Sequence, residues 1–176
     1  SWSPDGSSIV YTTDEISMQS KRTHGEWTFN LKILDLLTDS VTLINRFPGS
    51  NNINPLLDKT GNIYFLSNQS GINNLYYYNR NSKKTFECKN LASNVTGIST
   101  QAPALSLSHQ ADLLLFSTFI NASFQISQGN LNDILLQPVI YTSSTKNAKL
   151  IFPDLLEKKL DLVNKQIEQM DDSTMQ

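Results

Sequence analysis

Cysteine is almost missing from this 176-residue chain: Cys88 stands alone, so no internal disulfide can form. Histidine is nearly as scarce, and His24 and His109 leave little from which to build a zinc site. Charge is sparse too, with 17% Asp, Glu, Lys and Arg and a formal net charge of −2. That balance argues against a strongly basic nucleic-acid binder and against an acidic tail protein. No apolar run reaches the roughly 18 residues that a membrane-spanning helix requires. The first residue is Ser1, and no basic-then-apolar leader follows it. This is the expectation for a product processed or excised from a longer protein, and it leaves the compartment open.

Neutral polar residues take up the room: 21 Ser, 14 Thr and 18 Asn against 7 Gly and 6 Pro. Asn and Ser favour turns, because their short side chains bond the local backbone and tolerate left-handed conformations. Such a composition could signal disorder, but the β-branched and aromatic residues fall in runs of four to seven between turn-forming clusters. Many short strands are the expectation.

Three stretches share one plan. Trp2-Ser3-Pro4-Asp5-Gly6 leads into Ile9-Val10-Tyr11-Thr12-Thr13; Asn54-Pro55-Leu56-Leu57-Asp58 leads through Gly61 into Ile63-Tyr64-Phe65-Leu66-Ser67; Ala102-Pro103-Ala104-Leu105-Ser106 leads through Asp112 into Leu113–Thr118. Each is followed by a second strand, at Phe29–Leu34, Asn74–Tyr78 and Phe124–Ile126. A third strand completes two units, at Ser40–Ile44 and Lys84–Cys88. A repeat near 50 residues with several strands per unit is the signature of propeller blades. One small sheet cannot bury both faces, so blades stack about an axis and cover each other. A β-sandwich with coincidental spacing is the competing reading. The first hairpin carries a long loop, about Ile16 to Glu26.

From about Gln128 the pattern changes. Residues 128–153 read as an exit segment. Leu155, Leu156, Leu160, Val163 and Ile167 then fall at helical spacing behind Asp154 as N-cap, predicting an amphipathic helix over 154–170. Residues 171–176 read as a frayed tail. The fold class is thus all-β: a partial β-propeller of about three antiparallel blades over 1–127, with a C-terminal amphipathic helix.

The segment Trp2-Ser3-Pro4-Asp5-Gly6 resembles the repeat signature of TolB-type β-propellers, which are related to WD-repeat and prolyl-oligopeptidase propellers. Phe65-Leu66-Ser67-Asn68-Gln69-Ser70-Gly71-Ile72-Asn73-Asn74-Leu75-Tyr76 resembles another of their units. Asn94-Val95-Thr96-Gly97-Ile98 with Gln101–Ser106 is similar to the propeller of large bacterial envelope proteins. The resemblance implies a peptidase-like domain before the propeller and an outer-membrane barrel after it. It covers roughly residues 1–127 and implies a periplasmic or cell-envelope location, with a cytoplasmic one allowed by the single cysteine. Asn54-Pro55 departs from the Trp-Ser-Pro pattern, and the third unit has no Asp-Gly turn. Three blades are also fewer than the roughly four to eight of a closed ring.

Chemistry is hard to find. There is no Gly-x-Ser-x-Gly elbow, no His-Glu-x-x-His and no phosphate-binding glycine loop. Both histidines read as exposed loop residues, and Cys88 as a small buried hydrophobe with Lys89 as its basic neighbour. Tyr76-Tyr77-Tyr78 cannot form one stacking platform, because successive strand residues point to opposite faces. Trp27, flanked by Arg22, His24 and Glu26 on the long loop, is the best candidate anchor for a partner. The expectation is a non-enzyme without cofactor or metal: an interaction or scaffolding segment of a larger bacterial envelope protein. Its partner would be another protein or other domains of the same parent chain, with neither nucleic acid nor a membrane span. The alternative is an accessory propeller of a prolyl-oligopeptidase-like serine peptidase or of a metallopeptidase, gating substrate access with catalytic residues elsewhere.

Overall fold

The computed structural model describes residues 1–20, 27–91, 94–99 and 102–139. Their strands form three sheets, antiparallel throughout. The first blade holds β1 (Ser8–Thr13), β2 (Asn30–Asp35) and β3 (Ser40–Ile44) in that order. The second runs β4 (Asn52–Leu57), β5 (Ile63–Ser67), β6 (Asn74–Asn79), β7 (Lys84–Cys88). The third runs β8 (Leu105–Ser108), β9 (Leu113–Ile120), β10 (Ser123–Asn130). A short strand, β11 (Leu136–Pro138), adds to the outside of β7 and so returns to the second blade after the third is built.

Strand alternation decides which blades touch. In β5, Ile63 and Phe65 face the first blade while Tyr64 and Leu66 face the third, and all five residues of the strand are buried. Two cores result, one on each side of the second blade. Val10, Leu31, Ile33 and Ile44 meet Ile63, Phe65 and Tyr76 on one side. Leu105, Leu114 and Phe116 meet Tyr64, Leu66 and Leu75 on the other. Phe47, from the linker between the first two blades, sits with its ring 4.7 Å from Tyr76 and 6.1 Å from Phe65. Burying each such side chain contributes about 1.5–3 kcal/mol, so the blade contacts hold the stack together.

The outer faces differ sharply. Tyr11, aligned by the repeat with buried Phe65 and Phe116, is 36% exposed, and Trp2 is 59% exposed. Trp2 bridges to Ile9, and Ile9, Leu34 and Val41 are register partners, so the four make an apolar row across the first blade. On the third blade Leu115, Phe119, Phe124 and Ile126 are exposed, with the rings of Phe119 and Phe124 5.0 Å apart. Each end of the stack thus carries a face of core type with no blade against it among the described residues.

The all-β reading with three antiparallel sheets holds. The helix expected over 154–170 and the tail 171–176 lie outside the described residues, as does most of 128–153. Within that last segment β10 continues to Asn130, a single 3₁₀ turn follows at Leu131–Asp133, and β11 pairs with β7. The innermost strands β4 and β8 occupy stretches read from sequence as turns leading into strands. In β4 the register shifts between Ile53 and Leu56, and Asn54 takes φ +53° there. A bulge is where a strand tolerates Asn and Pro55.

Candidate interaction site

The hairpin order gives the stack two ends. One gathers the first turn of every blade. Asp5 accepts from the Ser3 and Ser7 hydroxyls at 2.6 and 2.8 Å and from the Ser7 N–H at 3.0 Å. Asp58 has the same role in the next blade, accepting from the Thr60 N–H, the Thr60 hydroxyl and the Asn62 N–H at 2.7–2.9 Å. In the third blade the Ser108 hydroxyl accepts from the Ala111 N–H. Those Ser3 and Ser7 bonds hold the Asp5 carboxyl down at about 2. Lys59 Nζ lies 2.7 Å from Asp112, tying the second turn to the third. A cavity of about 330 Å³ lies here, lined by Ser3, Asp5, Ser7, Lys59, Thr60 and Arg80 among others. Arg80 already donates to Gly61 O at 3.3 Å, and the Asp5 and Lys59 side chains are engaged as above, so this end is knit to itself.

The other end carries the long β1–β2 connection. It is not all irregular: α1 (Glu15–Gln19) forms one short helix at its start. Ser17 is fully buried at its base, where its hydroxyl donates to Thr28 O and accepts from the Thr28 N–H, each at 2.9 Å. Glu15 pairs with Lys32 on β2, which lowers the Glu15 carboxyl and raises the Lys32 ammonium. Both ends of the connection are therefore clamped to the first blade. Trp27 adjoins this clamp and is half-buried. Arg22, His24 and Glu26, the other predicted contact residues, lie outside the described residues.

Beside the clamp all three blades meet around a cavity of about 360 Å³, lined by Thr12 and Phe29 from the first blade, Ile53 and Asn54 from the second, and Pro103 leading into the third. Asn54 Oδ1 accepts the Ala104 N–H at 2.9 Å, so the bulge of β4 also fixes the start of β8. None of the five lining side chains titrates in the ordinary pH range. The arrangement suits holding an apolar or hydroxyl-bearing side chain, not moving protons. Sequence reading missed Phe29, Asn54 and Pro103 as neighbours. Asn-Pro within a β-run was the available signal for a bulge, but nothing local said that the three blades converge there.

The remaining candidates fall out as structural. Burial pushes the Cys88 thiol up to about 12, and Lys89 pairs with Glu87 at 2.7 Å instead of activating it. Tyr76 and Tyr78 pack toward the first blade. Tyr77 turns the other way, its ring 4.9 Å from that of Tyr64. Tyr78 is capped by Arg46, whose guanidinium lies 4.4 Å from the ring centroid and donates to the phenol oxygen at 2.9 Å. His109 is half-buried in the β8–β9 turn, where an exposed ring was expected, with Nδ1 shielded from solvent. Among the described residues no three His, Cys, Asp or Glu cluster as a metal site would need, and no helix is long and apolar enough to cross a membrane.

No protein-family model matches the chain, and no curated protein sequence matches it. Solved structures do. TolB from Acinetobacter baumannii is similar with a TM-score of 0.49 at 16% identity, covering 80% of this chain and 31% of that one. The putative TolB from Agrobacterium tumefaciens is similar with a TM-score of 0.51 at 17% identity, covering 79% of this chain and 47% of that one. The chain spans less than half the length of either relative. What it shares with the Agrobacterium protein is the fold: stacked antiparallel blades of the TolB-like propeller, as the Trp-Ser-Pro-Asp-Gly segment implied.

Proposed function

We propose that this chain is a non-catalytic propeller segment through which a larger bacterial cell-envelope protein, located in the periplasm or envelope, binds or scaffolds another polypeptide. The observation that carries this reading is the cavity at the loop end. Three blades contribute to its wall, none of the five residues titrates in the ordinary pH range, and Phe29 of that wall follows Trp27 by two residues in the chain. Loops on a rigid stack are where binding residues gather, and a half-buried Trp is a suitable anchor because it brings large area at little entropic cost.

The test is site-specific photo-crosslinking in envelope extract. A photoreactive residue replacing Trp27 should trap a discrete protein adduct, and the same residue replacing Leu37, 85% exposed at the opposite end, should not. Equal yields from both positions, or none from position 27, would overturn the reading. A fluorogenic peptide panel should return the background of buffer alone; turnover would end the claim that the segment is non-catalytic.

A further inference from the structure

The second blade is complete without β11. Four antiparallel strands are the usual content of a propeller blade, and β4–β7 already supply them. β11 is a fifth strand laid on the outside, three residues long and exposed at each of them. The Lys89 N–H donates to Leu135 O and the Val139 N–H to Thr85 O, each at 3.0 Å. Bonded and non-bonded pairs alternate along an antiparallel ladder, so Leu136 with Cys88 and Pro138 with Phe86 are the non-bonded pairs. Pro138 therefore sits where the ladder needs no N–H from it, and it blunts the outer side of β11.

What holds this segment is more particular than its ladder. Asn90 grips its start with both ends of one amide: Nδ2 donates to Asp133 O, and Oδ1 accepts from the Leu135 N–H at 2.7 Å. Ile134 is buried in the core shared with the third blade, and Leu131 packs against that core too. Val139 packs instead against the core shared with the first blade. The segment thus bends round the outer edge of the second blade with an apolar foothold on each side. Cys88 lies against it, 6% exposed, opposite Leu136 on the ladder and in one cluster with Ile134.

We propose that residues 131–139 form a releasable strap latched by Asn90. The strap lifts from β7 as one unit while the four strands beneath keep their packing, and in lifting it bares the β7 edge and the Cys88 thiol. The balance of burial favours this motion over opening of the blade itself. Ile134, Leu131 and Val139 are the strap's contribution to the cores, the last two only partly buried, whereas all five residues of β5 are buried. Local openings draw on segments with few buried apolar contacts and solvent-exposed backbone bonds. This reading does not depend on the proposed interaction role.

Native-state hydrogen exchange and thiol labelling of the 176-residue chain test it. The Lys89 and Val139 amides should exchange together, ahead of those in β5 and β6, at a rate that scarcely changes in dilute urea. A soluble thiol reagent should modify Cys88 with the same shallow urea dependence. Asn90→Ala removes both latch bonds and should speed labelling roughly fivefold or more, with the urea slope still shallow. Leu136→Cys supplies the converse. Non-bonded pairs set Cα atoms about 4.5 Å apart, within disulfide range, so oxidation should join the introduced thiol to Cys88. Exchange at Lys89 and Val139 should then slow to the rate of the β5 amides and recover on reduction. Wild-type exchange and labelling that occur only with global unfolding, no acceleration in Asn90→Ala, or no slowing in oxidised Leu136→Cys would each overturn the proposal.

Discussion

Asp5 sits on the surface, yet three donors converge on it, and its carboxyl keeps its proton only near pH 2. An unfolded aspartate does so near 3.9, so between those values the unfolded chain binds more protons and stability decreases as the pH is lowered. The contribution of this turn is complete above about pH 5 and is lost as pH drops through 4 toward 2. Melting curves of the wild type and Asp5→Asn from pH 7 to 2 should show a gap that is constant above about pH 5 and closes in acid. A gap independent of pH would contradict the assignment. The device was legible in Trp-Ser-Pro-Asp-Gly, because a Ser-x-Asp-x-Ser turn bonds locally. The partnership of Asn54 with Ala104 was not legible, since it joins residues 50 apart in sequence.

At the scale of elements, strand patterning was most informative where alternation was clean. Ser40–Ile44 and Lys84–Cys88 are β3 and β7 with the bounds read from sequence. The inner strands β4 and β8 escaped notice for different reasons: Asn54 and Pro55 interrupt one with a bulge, and the other is four residues with serine at every second position. β11 has only Leu-Gln-Pro, and its pairing with β7 is a tertiary event with no local signature. The β9–β10 hairpin carries a flaw. Its two-residue turn is Asn121-Ala122, with φ of +51° and +59°. Asn accepts that conformation; Ala pays for it through its Cβ. Ala122→Gly should therefore stabilise the chain by about 0.5–1 kcal/mol, read as a higher denaturant midpoint at unchanged slope. An unchanged or lower midpoint would show that the turn is not strained as described.

For the molecule as a whole, the two faces left uncovered among the described residues matter most. The blades bury one face apiece against the second blade, while Trp2, Tyr11, Val41 and Leu43 on the first and Leu115 and Phe119 on the third meet solvent. Exposed apolar patches of this kind mark association surfaces. Val41→Thr with Leu43→Thr puts β-branched residues at both positions of β3 while removing apolar surface. The pair should change stability by no more than about 1 kcal/mol and lower concentration-dependent light scattering. Scattering that stays the same would mean that this face does not drive self-association. The loop-end cavity belongs to this scale too, which is why the sequence reading singled out Trp27, Arg22, His24 and Glu26 on the loop but none of the five wall residues. Its wall exists only once three blades have stacked.

The return of β11 has a mechanical corollary. A tug on the polypeptide beyond Val139 does not reach the third blade first. It loads the Leu136–Pro138 clasp on β7, and β8, β9 and β10, which lie between β7 and that clasp in sequence, bear no load until it yields. The third blade is shielded from traction by its neighbour, and force entering from that side is delivered to the most deeply packed sheet of the stack.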